Sequence, residues 1–572
     1  MREPLQLPRK LMLLIAALQG LLLLFLKTAN DGGAWPSQIP VLSYPLWAIA
    51  VSAPVLLLLS VDRGNAERVA RLVGLFSVLV MMVAAYTGWQ AEPYGAFPIG
   101  SLTMIFVISM TLACFKALMH IQQRGAQLPL SYDVLFTFSW RNALTFPLAL
   151  LFTGVVWLLL NLWASLFEVI GIDFFRVLFD MDWFLFLTLA LANGIGIIIL
   201  RDLVRVIDML TGLLQGLIKL LLPLAVLVSA TFLASLPFVG LDALWDTGRG
   251  TALLLALLAV LLFFTNAVYQ DGRGERPYPL LVHRFLYLGL VTTPALSALS
   301  FYGLCIRLAE YGWTVARCWA FVVWLILTLF AAGYTVGILR KRDDWTIDLA
   351  RVNTAMGLVV LVLLLLANSP VLDFRRISAH SQMSRIGSGT EGIRRFDAWY
   401  AHSELARAGY MALEELKARV GDSDAGLAAL LDNPLPVSPG SRRYTDDEFW
   451  SSVIYRPEHF EVPDDLRKVI FTAFSQLESE QQAVLVRADL DGDGQYEYAF
   501  VRLANGYAQD ARIYYASAGK WAYVAAQMEP RGGYRAGTDL IEMLATGAVS
   551  SRPSRFDDLY IGSAVLMPGS DR

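Results

Sequence analysis

Nine consecutive residues, Asp489-Leu490-Asp491-Gly492-Asp493-Gly494-Gln495-Tyr496-Glu497, carry the most specific chemical pattern in the sequence. Carboxylates at the first, third and fifth positions curl around one hard cation, and glycine at the sixth permits a sharp turn. The seventh position offers its carbonyl, and an acid at the ninth closes the shell. The expected ligands are Asp489, Asp491, Asp493, Glu497 and the Gln495 carbonyl; the expected ion is calcium, in a structural role. The alternative is a solvated acidic hairpin turn. Three aspartates within five residues repel one another without a cation, which favours the metal.

Position twelve of this loop is Phe500, where an EF-hand needs a bidentate glutamate, and its flanks read as strands. The loop therefore looks like the strand-flanked calcium loops of extracellular repeats. A second acidic pattern is weaker. Asp180 and Asp182 form a D-x-D in a loop that also holds Asp173, and Asp31 lies in an earlier loop on the same side. A carboxylate on the outer face is what a membrane glycosyltransferase using a lipid-linked sugar needs, as base or metal holder. The loop holding Asp31 is too short for a lipid-carrier platform, and helix caps or solvated loop acids are the simpler reading. No catalytic residue is assigned. His402 has no nucleophile or second histidine near it in sequence. Cys114, Cys305 and Cys318 form no metal-binding spacing.

The elements that must position these groups follow from composition. The 572 residues are 56% hydrophobic and 17% charged, with a net charge of −3. Soluble proteins have an apolar share nearer about 45–50%. Residues 1–372 are nearly all apolar runs, whereas 373–572 read as ordinary globular sequence. Neither half is basic enough for nucleic acid. Runs long enough to cross about 30 Å of hydrocarbon recur near 11–26, 41–61, 72–89, 98–118, 143–167, 184–200, 214–236, 251–269, 285–306, 318–339 and 355–371. Arginines and lysines concentrate in alternate loops, among them Arg63, Arg68, Lys116, Arg141, Arg201, Arg276 and Arg340, all on the side of the N-terminus. By the positive-inside rule that side is cytoplasmic and residues 373–572 are extracytoplasmic. Trp89 and Tyr94, at run ends, fit the interfacial belt. Lys219 lies close enough to its span's cytoplasmic end to snorkel. Asn161, Asn193 and Asn266 read as interhelical hydrogen-bond partners. Pro294 and other prolines read as kinks for packing.

Beyond the spans, a helical pattern carries Phe396, Tyr400, Tyr410, Leu413 and Leu416 on one side. A Pro-rich linker from Asn433 to Pro439 follows, then a helix near 463–478. From Ala483 the period changes to two, with strands near 483–488, 496–503, 510–516 and 520–527.

Two short motifs are recognisable. Tyr311-Gly312-Trp313-Thr314-Val315-Ala316-Arg317, preceded by Arg307, and Ser369-Pro370-Val371-Leu372-Asp373-Phe374-Arg375-Arg376-Ile377-Ser378, running on to Gln382 and Arg385, resemble a bacterial multi-pass family catalogued as domain-of-unknown-function family 4153. The resemblance implies a bacterial envelope setting and no mechanism. Thr314 is placed to cap a helix, and Arg307 and Arg317 flank a tight hairpin where Glu310 or lipid phosphates are candidate partners. Arg307, Arg317, Asp373, Arg375 and His380 are candidates for an interface or binding role, with docking of the soluble part preferred.

The expected fold is a polytopic α-helical membrane protein of about eleven transmembrane helices, with a C-terminal soluble α+β domain containing an antiparallel meander. The divisions are 1–372 transmembrane, 373–432 membrane-proximal helical, and 433–572 extracytoplasmic with the calcium-type loop. The expected function is that of a bacterial inner-membrane envelope protein. Its partners are the lipid bilayer and an envelope protein or glycolipid. A transporter and an outer-face glycosyl- or lipid-transferase stay open as alternatives.

Overall fold

The computed structural model describes residues 7–241, 244–245, 249–269, 277–386, 392–393, 396–421, 427, 431, 434, 441–443, 446–457, 460–474, 476–478, 481–490, 494–504, 507–517, 520–526, 559–561 and 564–566. It falls into two compact units: Met1–Phe396 with Tyr400–Leu416, and Asp397–Trp399 with Lys417–Arg572. Asp491, Asp493 and Arg276 lie outside the described residues.

In the first unit the apolar runs become helices, because a backbone in hydrocarbon must satisfy its own hydrogen bonds. They are α1 (Arg9–Asp31), α2 (Pro40–Ser60), α3 (Ala66–Gln90), α4 (Gly100–Gly125), α5 (Tyr132–Val169), the short α6 (Phe174–Asp180), α7 (Asp182–Asp202), α8 (Val204–Val239), α9 (Gly250–Tyr269), α10 (Leu280–Val291), α11 (Thr293–Tyr311), α12 (Val315–Lys341) and α13 (Thr346–Ala367). With α10 and α11 taken as one span, eleven among the described residues are long and apolar enough to cross a membrane. The ninth is a break rather than a kink. Pro294 stands in the first turn of α11, where its missing N–H and fixed φ suit a helix start but end the helix before it.

Two large apolar clusters lie in this unit, with smaller ones around Phe97 and Phe374. One gathers Met12, Leu58, Val69, Val80, Ala113 and Ile197 from α1–α4 and α7. The other gathers Leu222, Leu258, Leu286, Leu296, Tyr334 and Trp345 from the helices after α7. Small residues let α1 and α7 cross closely: a Cβ on Gly20 would stand 2.9 Å from the Phe186 carbonyl, and one on Gly194 2.6 Å from Ala16 Cβ.

The face carrying the N-terminus is held by cations on helix ends. Arg201 donates to the carbonyls of Leu58 (2.7 Å) and Val61 (2.9 Å) at the end of α2, and pairs with Asp62 at 2.9 Å. Arg68 likewise donates to the Gly125 carbonyl at 3.0 Å, at the end of α4. Such carbonyls have no partner within their own helix. Lys116 belongs inside α4, which runs on to Gly125, and not to the following loop. Asn266 accepts from Tyr132 and from Asn353 (3.1 Å), and Asn193 donates to Thr153 at 3.4 Å, so both bridge helices. Asn161 differs, donating to the Trp157 carbonyl of its own helix at 2.9 Å.

Beyond α13 the chain forms α14 (Phe374–Ser384), α15 (Ala398–Glu404) and α16 (Ala406–Val420). The amphipathic pattern around Tyr400 and Tyr410 is thus two helices, broken where Ala406 takes φ +48°.

The second unit holds the short pair β1 (Ser441–Arg443) and β3 (Gln476–Glu478), and the hairpin β8 (Leu559–Ile561) with β9 (Ala564–Leu566). Its main sheet runs β2 (Val453–Arg456), β4 (Gln481–Ala488), β5 (Glu497–Ala504), β6 (Tyr507–Ser517), β7 (Lys520–Ala526). The last four strands are the expected antiparallel meander. The sheet as a whole is mixed, because β2 adds in parallel beside β4. Ala483, Leu485 and Phe500 face a core with Phe449 of α17 (Asp446–Ser452) and Leu466, Ile470 and Phe474 of α18 (Asp464–Phe474). Val484, Val486 and Val501 bury the other face, as the two-residue period of a strand requires.

Candidate functional site

The two recognisable motifs meet. Gly312 turns the chain between α11 and α12 at φ +70°, and a Cβ there would stand 2.9 Å from Ser381 Oγ, so both conformation and space demand glycine. One face of α14 then takes up this hairpin's backbone. Ser381 Oγ accepts from Trp313 N (3.0 Å), Ser378 Oγ donates to Trp313 O (3.1 Å), and Gln382 Nε2 donates to Tyr311 O (3.1 Å) and Trp313 O (2.9 Å). Arg385 reaches the Glu310 carbonyl at 2.6 Å. Thr314 caps α12 by accepting from Arg317 N at 3.3 Å. Arg317 itself donates to the Gly312 carbonyl at 2.8 Å instead of meeting the Glu310 carboxylate. Arg307 is half-buried and His380 is exposed.

At the start of α14, Asp373 Oδ1 accepts from the backbone N–H of Arg375 and of Arg376, both at 3.0 Å, and Oδ2 accepts from Tyr86 OH at 2.5 Å. Arg375 is 8% exposed. Its Nε and Nη2 find no hydrogen-bond acceptor among the described residues. Burial lowers its pKa from the ordinary arginine range, while Asp373 and Glu404 pull the other way. The cavity beside it, about 10 Å³, has room for roughly one water. Tyr400, whose OH accepts from Val315 N at 2.8 Å, has its pKa raised by burial.

A far larger space lies beside this junction. A groove of about 700 Å³ opens among α2, α4 and α5, lined by apolar groups such as Trp47, Val51, Phe106, Val107, Met110 and Phe146. Its lining follows α2 from Pro40 to Leu59. That is about 28 Å of helix at about 1.5 Å per residue, close to the full hydrocarbon thickness of about 30 Å. Both ends are polar. On the N-terminal face Asn142 lines it, exchanging hydrogen bonds with Gln122 at 2.7 and 3.1 Å. On the far face stand Asn30, Ser37 and Tyr44, whose OH lies 2.6 Å from Thr103 Oγ1. Tyr94 and Pro40 line the groove and also a second cavity of about 530 Å³ on that face, with Glu92, Arg407 and Tyr410. Arg407 Nη1 is 3.9 Å from Glu92 Oε2, and its guanidinium lies over the Trp89 ring at 4.6 Å.

The acids Asp31, Asp180 and Asp182 have partners or places of their own. Asp31 pairs with Lys27, Asp180 pairs with Arg176 at 3.6 Å, and Asp182 opens α7. None of the three lines the groove or the mouth. In the second unit Glu497 is 7% exposed and its Oε2 accepts from Leu490 N at 2.6 Å, while Asp489 Oδ2 accepts from Gly494 N at 3.2 Å. Gly494 takes φ +84°, and Gln495 is exposed. Among the described residues no group of three or more histidines, cysteines or acids is placed to hold a metal ion.

A family model described as "Domain of unknown function (DUF4153)" matches residues 46–416. The chain belongs to this family. No curated protein and no solved structure matches it. The DUF4153 match ends at the residue where the first compact unit ends, Leu416. Most of the groove lining, all but three residues of the mouth, and the α14 junction therefore lie in the DUF4153 region. The acidic loop at 489–497 lies beyond it.

Sequence reading passed over Glu92 and Arg407. Trp89 and Tyr94 read as generic interfacial aromatics. The available signal was Glu92-Pro93-Tyr94 in a short loop between two spans.

Proposed function

We propose that this DUF4153 protein is an inner-membrane protein of a bacterial envelope that binds a membrane lipid, with the chain in the α2/α4/α5 groove and the headgroup at the mouth beside Glu92 and Arg407. The observation that carries this reading is the groove itself: an apolar groove as long as the hydrocarbon is thick, ending beside an open pocket that holds Glu92 and Arg407. In this reading the N-terminus is cytoplasmic and the mouth lies at the outer leaflet. The second unit is extracytoplasmic, its acidic loop takes calcium, and it meets another envelope component.

The test is lipid retention. Protein purified in mild detergent should carry about one co-purified phospholipid per chain, measured by native mass spectrometry. Val51 and Val107 line the groove and are each 53% exposed. Val51→Trp with Val107→Trp should fill the groove and remove the lipid without lowering thermal stability. Undiminished lipid in that double variant would overturn the reading.

A further inference from the structure

A lipid tail gains little by leaving one hydrocarbon environment for another, so a groove in the membrane selects poorly by its apolar wall. Selection falls to the groups at the mouth. Two of opposite sign stand there, Glu92 and Arg407, each about one-third exposed. Their separation of 3.9 Å exceeds the roughly 2.7–2.9 Å of a charge-assisted hydrogen bond. Neither partner saturates the other. Arg407 is held from behind by the Trp89 face, and its one hydrogen bond among the described residues, to the Glu92 carbonyl, is long at 3.4 Å. Among the described residues the mouth thus presents one unsaturated cation and one unsaturated anion.

We propose that the mouth selects a zwitterionic phospholipid headgroup, the phosphate meeting the Arg407 guanidinium and the ammonium meeting the Glu92 carboxylate. The headgroup of phosphatidylglycerol satisfies Arg407 equally well but offers Glu92 only neutral hydroxyls, where the amine offers a cation. This inference rests on the lipid reading above, and its experiment separates the two. The full chain is equilibrated in detergent with equal amounts of phosphatidylethanolamine and phosphatidylglycerol, and the retained species are counted by native mass spectrometry. The amine lipid should be enriched about two- to fivefold, the range that partly exposed charge pairs support. Glu92→Gln should abolish or reverse the preference while lipid is still retained. Arg407→Gln should lower retention of both lipids. Retained lipid without preference in the unmodified chain, or a preference unchanged in Glu92→Gln, would overturn the headgroup assignment and leave the groove reading standing. Failure to retain either lipid would overturn both.

Discussion

At the scale of single residues, glycine and arginine carry the sharpest consequences. Gly312 combines a positive φ with a crowded Cβ position. Gly312→Ala should therefore cost at least about 1–2 kcal/mol. Gly216, in α8 with nothing near its Cβ position, should tolerate alanine or gain up to about 1 kcal/mol. Melting both variants in the same detergent checks the pair. Arg201 is 12% exposed and holds both the α2 carbonyls and Asp62. Arg201→Ala strands a carboxylate and two carbonyls and should cost roughly 3–5 kcal/mol, read as loss of folded protein on size exclusion. The sequence placed Arg201 on the side of the N-terminus, and the structure has its neighbour Asp202 paired with Arg9 at 2.8 Å. Its capping role was illegible, since the carbonyls it serves lie some 140 positions away. Glu92 and Arg407 were hidden for the same reason, one in a loop before α4 and the other after the last span.

At the scale of elements, the spans were legible because hydropathy is a local property, and their ends were less so. α4 runs past Lys116, and α8 begins at Val204, ten residues before the apolar run that announces it. The meander was equally legible from its two-residue period. β2 was not: Val453-Ile454-Tyr455-Arg456 is four residues between two helices, and its partner β4 is nearly thirty positions on. The β4–β5 connection is where calcium should act. Leu490 and Gly494 amides already bond to Glu497 and Asp489, the two ends of the expected shell. If affinity is that of extracellular modules, about 10⁻⁴ to 10⁻³ M, millimolar calcium should slow hydrogen exchange at these amides roughly two- to tenfold. Asp491→Ala with Asp493→Ala should remove that protection. Equal exchange in calcium and in chelator would return this loop to an acidic turn.

At the scale of the whole molecule, an odd number of spans puts the ends of the membrane region on opposite sides. The positive-inside rule makes the side of the cation-rich loops the expected cytoplasmic one. Alkaline phosphatase fused after Arg572 should be active, and a fluorescent protein that matures only in the cytoplasm should stay dark there. The opposite result would move the second unit into the cytoplasm and bring the proposed mouth to the inner leaflet.

The close crossing of α1 and α7 has a consequence for how the chain is made. About 170 residues separate Asp31 from Asp202. At roughly 5–20 residues per second the ribosome needs about 10–35 s to deliver the second helix after the first. During that interval the Ala16–Gly20 surface faces lipid, which small apolar residues tolerate. Gln19, on the same stretch of α1, would not wait so easily, yet its Nε2 donates to the Ala50 carbonyl of α2 at 3.3 Å. The polar demand of the first span is met by the very next one, and only its shape must wait for the nascent chain to reach α7.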